Sequence, residues 1–294
     1  MKTILVTGGS GFIGKNLCLK WAEKYNILAP SHSELDLTVQ QSVDSFFAEN
    51  EIDIIIHCAI KPGHRAALDR AGLLDSDLRM YYNLRQNAVN NDIKMYVIGS
   101  GCCYDMAHYI PRMKENYLGQ HIPKDETGFA KYITSLDMLS SKNIYDLRVF
   151  GIFGPYEDYS IRFISNAICK AIEGLPITLR QDRIFDYIYI DDFITLLDQM
   201  INTDLKHHAY NITSDNPVSL LQLAKWVKEI SGADIPIQVA QTGLGSEYSG
   251  DNGQLREEFP EFKFHAYQEN IKKLFDFYNQ NRQDIDFDKL IIDK

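Results

Sequence analysis

The chain has 294 residues, 45% hydrophobic and 24% charged, with a formal net charge of −10 and a pI of about 5.3. That length supplies one large domain or two modest ones with a sizeable core. The acidic balance argues against a nucleic-acid or anionic-membrane partner. No apolar run reaches the roughly 18 residues of a membrane span. Five cysteines (Cys18, Cys58, Cys102, Cys103, Cys169) show neither Cys-x-x-Cys spacing nor histidine partners. Reduced thiols in a cytoplasm fit that pattern better than a disulfide framework.

In chain order, "KTILVTG" reads as a buried strand that exits in Thr-Gly-Gly, unlike a leader cleavage site. "FIGKNLCLKWAEK" carries Phe12, Ile13, Leu17 and Trp21 near helical spacing. "YNILAP" is a second strand, "TVQQSVDSFFAEN" a helix with Thr38 as its N-cap, and "IDIIIHCA" a third strand. "LRMYYNLRQNAVNN" is a helix, "KMYVIGSG" a fourth strand, "GFAKYITSLDMLSSK" a helix and "IYDLRVFG" a fifth strand. This alternation predicts an α/β fold, a Rossmann-type doubly wound parallel sheet with helices on both faces.

Regularity weakens after Pro155. "SIRFISNAICKAIEG", "SLLQLAKWVKEISG" and "AYQENIKKLFDFYNQN" read as helices, "LPITL" and "DYIYI" as strands. No low-complexity linker separates the halves, so the second, a smaller mixed α/β region, is expected to pack directly on the first across a cleft. The final "DIDFDKLIIDK" reads equally as a docked segment or a frayed tail.

"VTGGSGFIG" is the strongest local signal. Gly8, Gly11 and Gly14 stand at G-x-x-G-x-x-G spacing, after a strand and before a helix. Glycines there let backbone approach a pyrophosphate, and the helix N-terminus offers free N–H groups and a positive dipole end. A simple tight turn is the competing reading, and the strand–turn–helix order disfavours it.

With its flanking segments, this loop resembles the extended short-chain dehydrogenase/reductase (NAD-dependent epimerase/dehydratase) family. The resemblance covers nearly the whole chain, best over 1–192. It implies cofactor contacts from Gly8, Gly11, Phe12, Ile13 and Gly14, and from Asp36 and Leu37 of "LDLT" at the adenine. It also implies contacts from Ala59 of "HCA" and from Lys131. "GSGCCYD" matches the strand carrying the catalytic hydroxyl, here Ser100, and "LRVFGIFGP" the strand lining the nicotinamide. "DYIYIDD" matches a late family segment in which Phe185 replaces an arginine. An NAD(P)-binding region over 1–155, completed by parts of 186–215, and a mainly substrate-binding region over 156–294 are implied.

Within the family the chain is nearest in look to GDP-fucose synthases and related 4-keto-sugar reductases. Their epimerising cysteine would be Cys102, but Arg162 stands where its histidine partner would fall, so Cys102 is expected to pack as a small buried thiol. Gly101 and Cys102 replace the acidic pair of dehydratases, which disfavours a 4,6-dehydratase. The activity implied is reduction of a 4-keto nucleotide sugar, its reverse, or C4 epimerisation. A nucleotide diphosphate sugar is the expected partner, with Arg162, Arg180, Arg183 and Arg256 as candidate diphosphate ligands. The tip "LAPSHSE" sets Ser31, His32 and Ser33 where an acid would repel a 2′-phosphate, so NADP(H) is preferred over NAD(H). A homodimer through the lysine-bearing helix is expected.

One position departs. The family places Tyr-x-x-x-Lys on a helix, four residues apart on one face, so that the lysine lowers the phenol's pKa for proton exchange with substrate. Here Lys131 is in place but Thr127 replaces the tyrosine. An aliphatic hydroxyl is too weak an acid and too short. Tyr132 points to another face, and Tyr104 is a candidate stand-in. Three readings stay open: an inactivating Tyr-to-Thr replacement in an otherwise normal enzyme, a member using another acid or a water held by Ser100 and Thr127, and a non-catalytic dinucleotide-binding regulator.

Overall fold

The computed structural model describes residues 1–62 and 71–291. Strand β1 (Thr3–Thr7) leads into α1 (Phe12–Trp21), β2 (Asn26–Leu28) into α2 (Gln40–Glu49), β3 (Ile54–His57) into α3 (Leu73–Asn90) and β4 (Lys94–Ser100) into α4 (Glu126–Met138). Then come β5 (Ile144–Val149), β6 (Gly151–Phe153), α5 (Phe163–Ile172), β7 (Ile177–Asp182), β8 (Ile184–Phe185), β9 (Tyr187–Tyr189), α6 (Ile190–Met200) and β10 (Ala209–Ile212). The chain closes with β11 (Val218–Ser219), α7 (Leu220–Ser231), β12 (Ile237–Leu244), α8 (Gly253–Glu258), α9 (Tyr267–Gln280) and α10 (Phe287–Ile291).

The central sheet runs β10-β5-β4-β3-β1-β2 with every neighbour parallel. Except for the edge strand β2, its strands are buried on both faces, and the residues divide by the strand's period of two. Ile4, Val6, Ile54, Ile56, Tyr96 and Ile98 join one core, which continues through α1, α5, α6, α7 and α9. Leu5, Ile55, Met95 and Val97 join the other, under α2 and α3. The first core thus contains residues from both halves of the chain, which pack directly on each other.

Strand order reverses between β1 and β3. In open α/β sheets the crevice beyond the C-terminal strand ends at such a switch is where ligands bind. Gly8 leaves β1 there and Ala59 follows β3.

Beyond the sheet, β12 lies parallel to β7, and the segment after it runs on beside 182–186. Gly245 donates to the Asp182 carbonyl (2.8 Å), Tyr248 to that of Ile184 (2.9 Å), and Asp186 donates back to Tyr248 (3.1 Å). Met113 and Ser249 pair on its other side at 3.0 Å. Residues 245–251 therefore form a strap between the two halves.

Two sequence expectations meet the structure here. Thr38 does not cap α2: Val39 holds the N-cap position, while Thr38 donates both its N–H (2.9 Å) and its hydroxyl (2.7 Å) to Asp36 Oδ1. A carboxylate two residues upstream outcompetes the helix end for that side chain. The terminal segment is docked through Ile291, with Leu290 only 1% exposed against the core that includes α5.

Candidate active site

The glycine loop is shaped by collisions that side chains would make. Gly8 has φ +68°, and a Cβ there would stand 2.9 Å from the Ala59 backbone. A Cβ on Gly14 would stand 2.3 Å from the Gly8 carbonyl oxygen, which accepts the Gly11 N–H at 2.9 Å. Loop, β3 exit and helix start are thus in backbone contact, as only glycine permits. α1 begins at Phe12 with Gly11 at the N-cap and no side chain capping it, so its first turn keeps the unpaired N–H character that attracts anions. Phe12 and Ile13 are half-buried beside it. This cradle fits a pyrophosphate.

At the tip of β2, Ser31 and His32 are exposed, but the turn is organised by an acid. Glu34 accepts from both the Ser31 N–H and hydroxyl at 2.8 Å, and these bonds hold its carboxyl below the usual range. Glu34 lies about 20 residues past Gly14, where this motif places its ribose-binding acid. Further on, Asp36 is half-buried and lowered by its Thr38 bonds, and Leu37 is buried.

The Lys131 ammonium donates to the Ile98 carbonyl on β4 at 3.2 Å. It lines a cavity of about 10 Å³ with His57, Ala59, Asp77, Val97 and Thr134, room for a single water. Burial, aided by the Lys131 charge, takes His57 down to about 3, so this imidazole is neutral; Thr7 Oγ1 lies 2.8 Å from its Nδ1. Desolvation raises Asp77, which accepts the Lys61 N–H. His57, Asp77 and Thr134 carry no sequence signal of a site role, since each is an ordinary strand or helix residue until the fold gathers it.

Asp125 caps α4 by accepting the Gly128 N–H at 2.8 Å. A Cβ on Gly128 would stand 2.9 Å from the Cys102 carbonyl and 2.8 Å from Pro123, so glycine is required by the approach of α4 to the turn after Ser100. Thr127 is half-buried on the first turn of α4, one residue before Gly128.

Ser100 ends β4 half-buried. Its Oγ accepts the Cys102 N–H at 3.3 Å and lies 3.3 Å from the Tyr248 hydroxyl, a residue from the strap. Tyr104 is not a stand-in phenol: it is 1% exposed, donates to Asn211 Oδ1 (2.8 Å) and accepts from Arg148 (2.8 Å) within a buried network of Asp146, Arg148 and Glu115. Cys102 is half-buried facing the strap, with its sulfur 3.8 Å from the Tyr248 hydroxyl; the fully buried thiol is its neighbour Cys103.

The arginines are dispersed. Arg162 is exposed at the start of α5, and Arg180 is exposed on β7. Arg183 donates to the Ser246 carbonyl at 3.0 Å with its guanidinium over the Phe185 ring. Arg256 instead donates to the Phe262 carbonyl and covers the Phe264 ring, structural contacts that tie α8 to the next loop. Among the described residues no cluster of three metal-ligating side chains occurs, and no helix is long and apolar enough to cross a membrane.

Comparison with known proteins agrees with this geometry. The chain is 23% identical over 298 residues to a UDP-glucose 4-epimerase of Bacillus subtilis (strain 168), covering 82% of this chain and 86% of that protein. It is 24% identical over 257 residues to GDP-L-fucose synthase 1 of Arabidopsis thaliana, covering 78% of each. Its fold superimposes on a GDP-mannoheptose C4 reductase from Campylobacter jejuni with NADP bound, with a TM-score of 0.81 at 20% identity, covering 94% of this chain and 98% of that one. Residues 4–213 match the model of the NAD dependent epimerase/dehydratase family, and the chain belongs to that family of extended short-chain dehydrogenases/reductases.

Proposed function

We propose that the chain is an NAD(P)-dependent oxidoreductase that reduces the 4-keto group of a nucleotide-linked (deoxy)sugar. The observation that carries this reading is convergence at the switch point. The uncapped glycine cradle, the Lys131 ammonium and the Ser100 hydroxyl all lie at the C-terminal ends of β1, β3 and β4. In this reading Gly8, Gly11, Phe12, Ile13 and Gly14 receive the pyrophosphate on backbone, Asp36 and Leu37 meet the adenine, and Ala59 and Lys131 hold the nicotinamide ribose. The bound dinucleotide supplies the hydride. Ser100 holds the sugar carbonyl oxygen, and the exposed Arg162 and Arg180 are the arginines available to the substrate diphosphate, Arg183 being engaged by the Ser246 carbonyl and the Phe185 ring as Arg256 is by its own partners. A dehydratase is disfavoured further by packing, since a Cβ at Gly101 would meet the Tyr248 hydroxyl at 2.7 Å and the Phe150 ring at 2.8 Å.

Cofactor choice turns on the Ser31–Glu34 turn. The preference for NADP(H) expected from its sequence is opposed by Glu34, whose charge would face a 2′-phosphate while plain ribose hydroxyls could donate to it. Homodimerisation through the lysine-bearing α4 is supported by the exposed Leu136 on it and Leu139 at its C-cap, and by Tyr82 and Val89 on α3, which packs beside it. Light scattering that gives a monomer mass would reject it.

The test of function is to add a 4-keto nucleotide sugar to the protein with reduced cofactor. Reduction consumes the nicotinamide absorbance. Dinucleotide binding with no absorbance change for any such sugar favours the second reading, a non-catalytic dinucleotide-binding regulator, which the threonine at 127 supports. Interconversion of a sugar epimer pair without net cofactor consumption would favour a C4 epimerase.

A further inference from the structure

The Ser100 hydroxyl has one proton and two lone pairs. The Cys102 N–H occupies one lone pair at 3.3 Å, and the Tyr248 hydroxyl stands at 3.3 Å from the same oxygen. Tyr248 has one proton to place, and its two neighbours are Ser100 Oγ and, at 3.8 Å, the Cys102 sulfur. Oxygen is the stronger acceptor, so the phenol donates to Ser100. Both lone pairs of Ser100 are then filled from behind, and its own proton is left for a group entering from the cleft.

The phenol is built into this place. Tyr248 is only 6% exposed, with rings packed around it at centroid distances of 5.0 Å (Phe150), 5.3 Å (Tyr109) and 5.8 Å (Phe185). Its backbone is fixed by the bonds to Ile184 and Asp186. Gly101 leaves the space that the hydroxyl fills, since a Cβ there would come within 2.7 Å of it. Neighbouring phenols are engaged elsewhere: Tyr104 donates to Asn211, and Tyr109 to the Ser249 carbonyl at 2.8 Å. Burial holds the Tyr248 phenol well above its ordinary value, so it keeps its proton through the neutral range.

We propose that Tyr248 fixes the Ser100 hydroxyl as the donor to the substrate's carbonyl oxygen, in a site where position 127 offers no phenol. This rests on the keto-reductase reading. As the carbonyl carbon accepts hydride from the reduced dinucleotide, which is thereby oxidised, the C=O π bond opens. Ser100 hydrogen-bonds the developing alkoxide while Tyr248, keeping its own proton, holds the Ser100 hydroxyl in that orientation. The product carries one new C–H and one new O–H bond, the proton of the latter coming from water in the cleft. Tyr248 is a positioning residue, and Ser100 the group that touches substrate.

The test compares wild type, Tyr248→Phe, Ser100→Ala and the double variant with a 4-keto nucleotide sugar, alongside dinucleotide binding and thermal melting of each protein. The expected result is a loss of about tenfold or more in kcat for Tyr248→Phe with KM little changed. The double variant should be no worse than Ser100→Ala, because Tyr248 acts only through Ser100. Should Tyr248→Phe fail to fold, fluorotyrosine at 248, a stronger hydrogen-bond donor, replaces it and should raise kcat with KM little changed. Full activity of a folded, cofactor-binding Tyr248→Phe, losses that multiply in the double variant, or a kcat that fluorotyrosine leaves unchanged would each overturn the positioning role while leaving the reductase reading intact. Failure of wild type to turn over any 4-keto sugar while it binds dinucleotide would overturn both.

Discussion

The two ends of the candidate site are made of different material. The dinucleotide cradle is backbone: glycines at 8, 11 and 14 and an uncapped helix start, all within seven consecutive residues of one strand–turn–helix. The side facing substrate is assembled from distance, with Tyr248 reaching Ser100 across 148 residues of chain. A local motif needs only its own sequence to form. The strap needs β7, β8, the Met113 segment and β10 already in place, held by bonds such as Asn211 Nδ2 to the Met113 carbonyl (2.7 Å) and Asn252 Nδ2 to that of Thr213 (3.0 Å).

The largest effects should separate these two. Arg148 and Asp146 are both fully buried and bonded at 2.6 Å beneath the strap, and Arg148 also reaches the Tyr104 hydroxyl and the Glu115 carbonyl. Replacing Arg148 by Met leaves a buried carboxylate without its partner and is expected to cost about 3–5 kcal/mol, read by denaturant unfolding. Gly14→Ala should act on the other end. Its Cβ has no room beside the Gly8 carbonyl, so dinucleotide binding should collapse, with a stability loss of about 1–3 kcal/mol. If Gly14→Ala bound dinucleotide normally, the cradle reading would fail.

Protonation contrasts the halves in opposite directions. Burial raises Glu157, bonded to Ser165, to about 8, and Asp186, bonded to Ser214, to about 6. For each the folded state holds the proton more tightly than the unfolded chain, so stability is full below the ordinary carboxyl value and falls as pH rises through the folded one. His57 is the reverse. Its folded value of about 3 lies below the ordinary 6.5, so its contribution is present above 6.5 and is lost as pH falls toward 3. Glu157→Gln should therefore stabilise the protein at pH 8 relative to pH 5 by on the order of 1–3 kcal/mol, seen as a smaller drop in Tm across that range. An unchanged Tm–pH slope would remove Glu157 from the account.

The smallest effect concerns specificity. Glu34→Gln removes the exposed charge bonded to Ser31 and should improve NADP(H) relative to NAD(H) by about tenfold or less. Parallel titrations of both cofactors read it directly. An unchanged ratio would place the 2′ position away from this turn.

Much of the fold was legible because it is periodic: the sheet strands and their helices follow apolar runs, and the glycine loop declares itself. Lys131 and Ser100 were readable from short local patterns, and the structure brings both to β4. What escaped were choices between competing partners. Thr38 had a carboxylate closer than its helix, and Glu34 folds back on Ser31 although nothing in "SHSE" requires it. Arg256 looked free for a diphosphate but reaches the Phe262 carbonyl. Tyr248 escaped for a stronger reason: its place beside Ser100 is set by strand pairing far from either residue, and "SEYSG" carries no sign of it.

The central claim is that this dinucleotide cradle serves hydride transfer to a sugar ketone. The most direct measurement is a single-turnover mixing of the protein, loaded with reduced nicotinamide dinucleotide, with 4-keto sugars on different nucleoside diphosphates, run beside Lys131→Met. The account predicts loss of nicotinamide absorbance with at least one sugar in the wild type, and a rate lower by about a hundredfold or more in the variant. Tight dinucleotide binding with no absorbance change for any sugar, or equal rates in the two proteins, would contradict it.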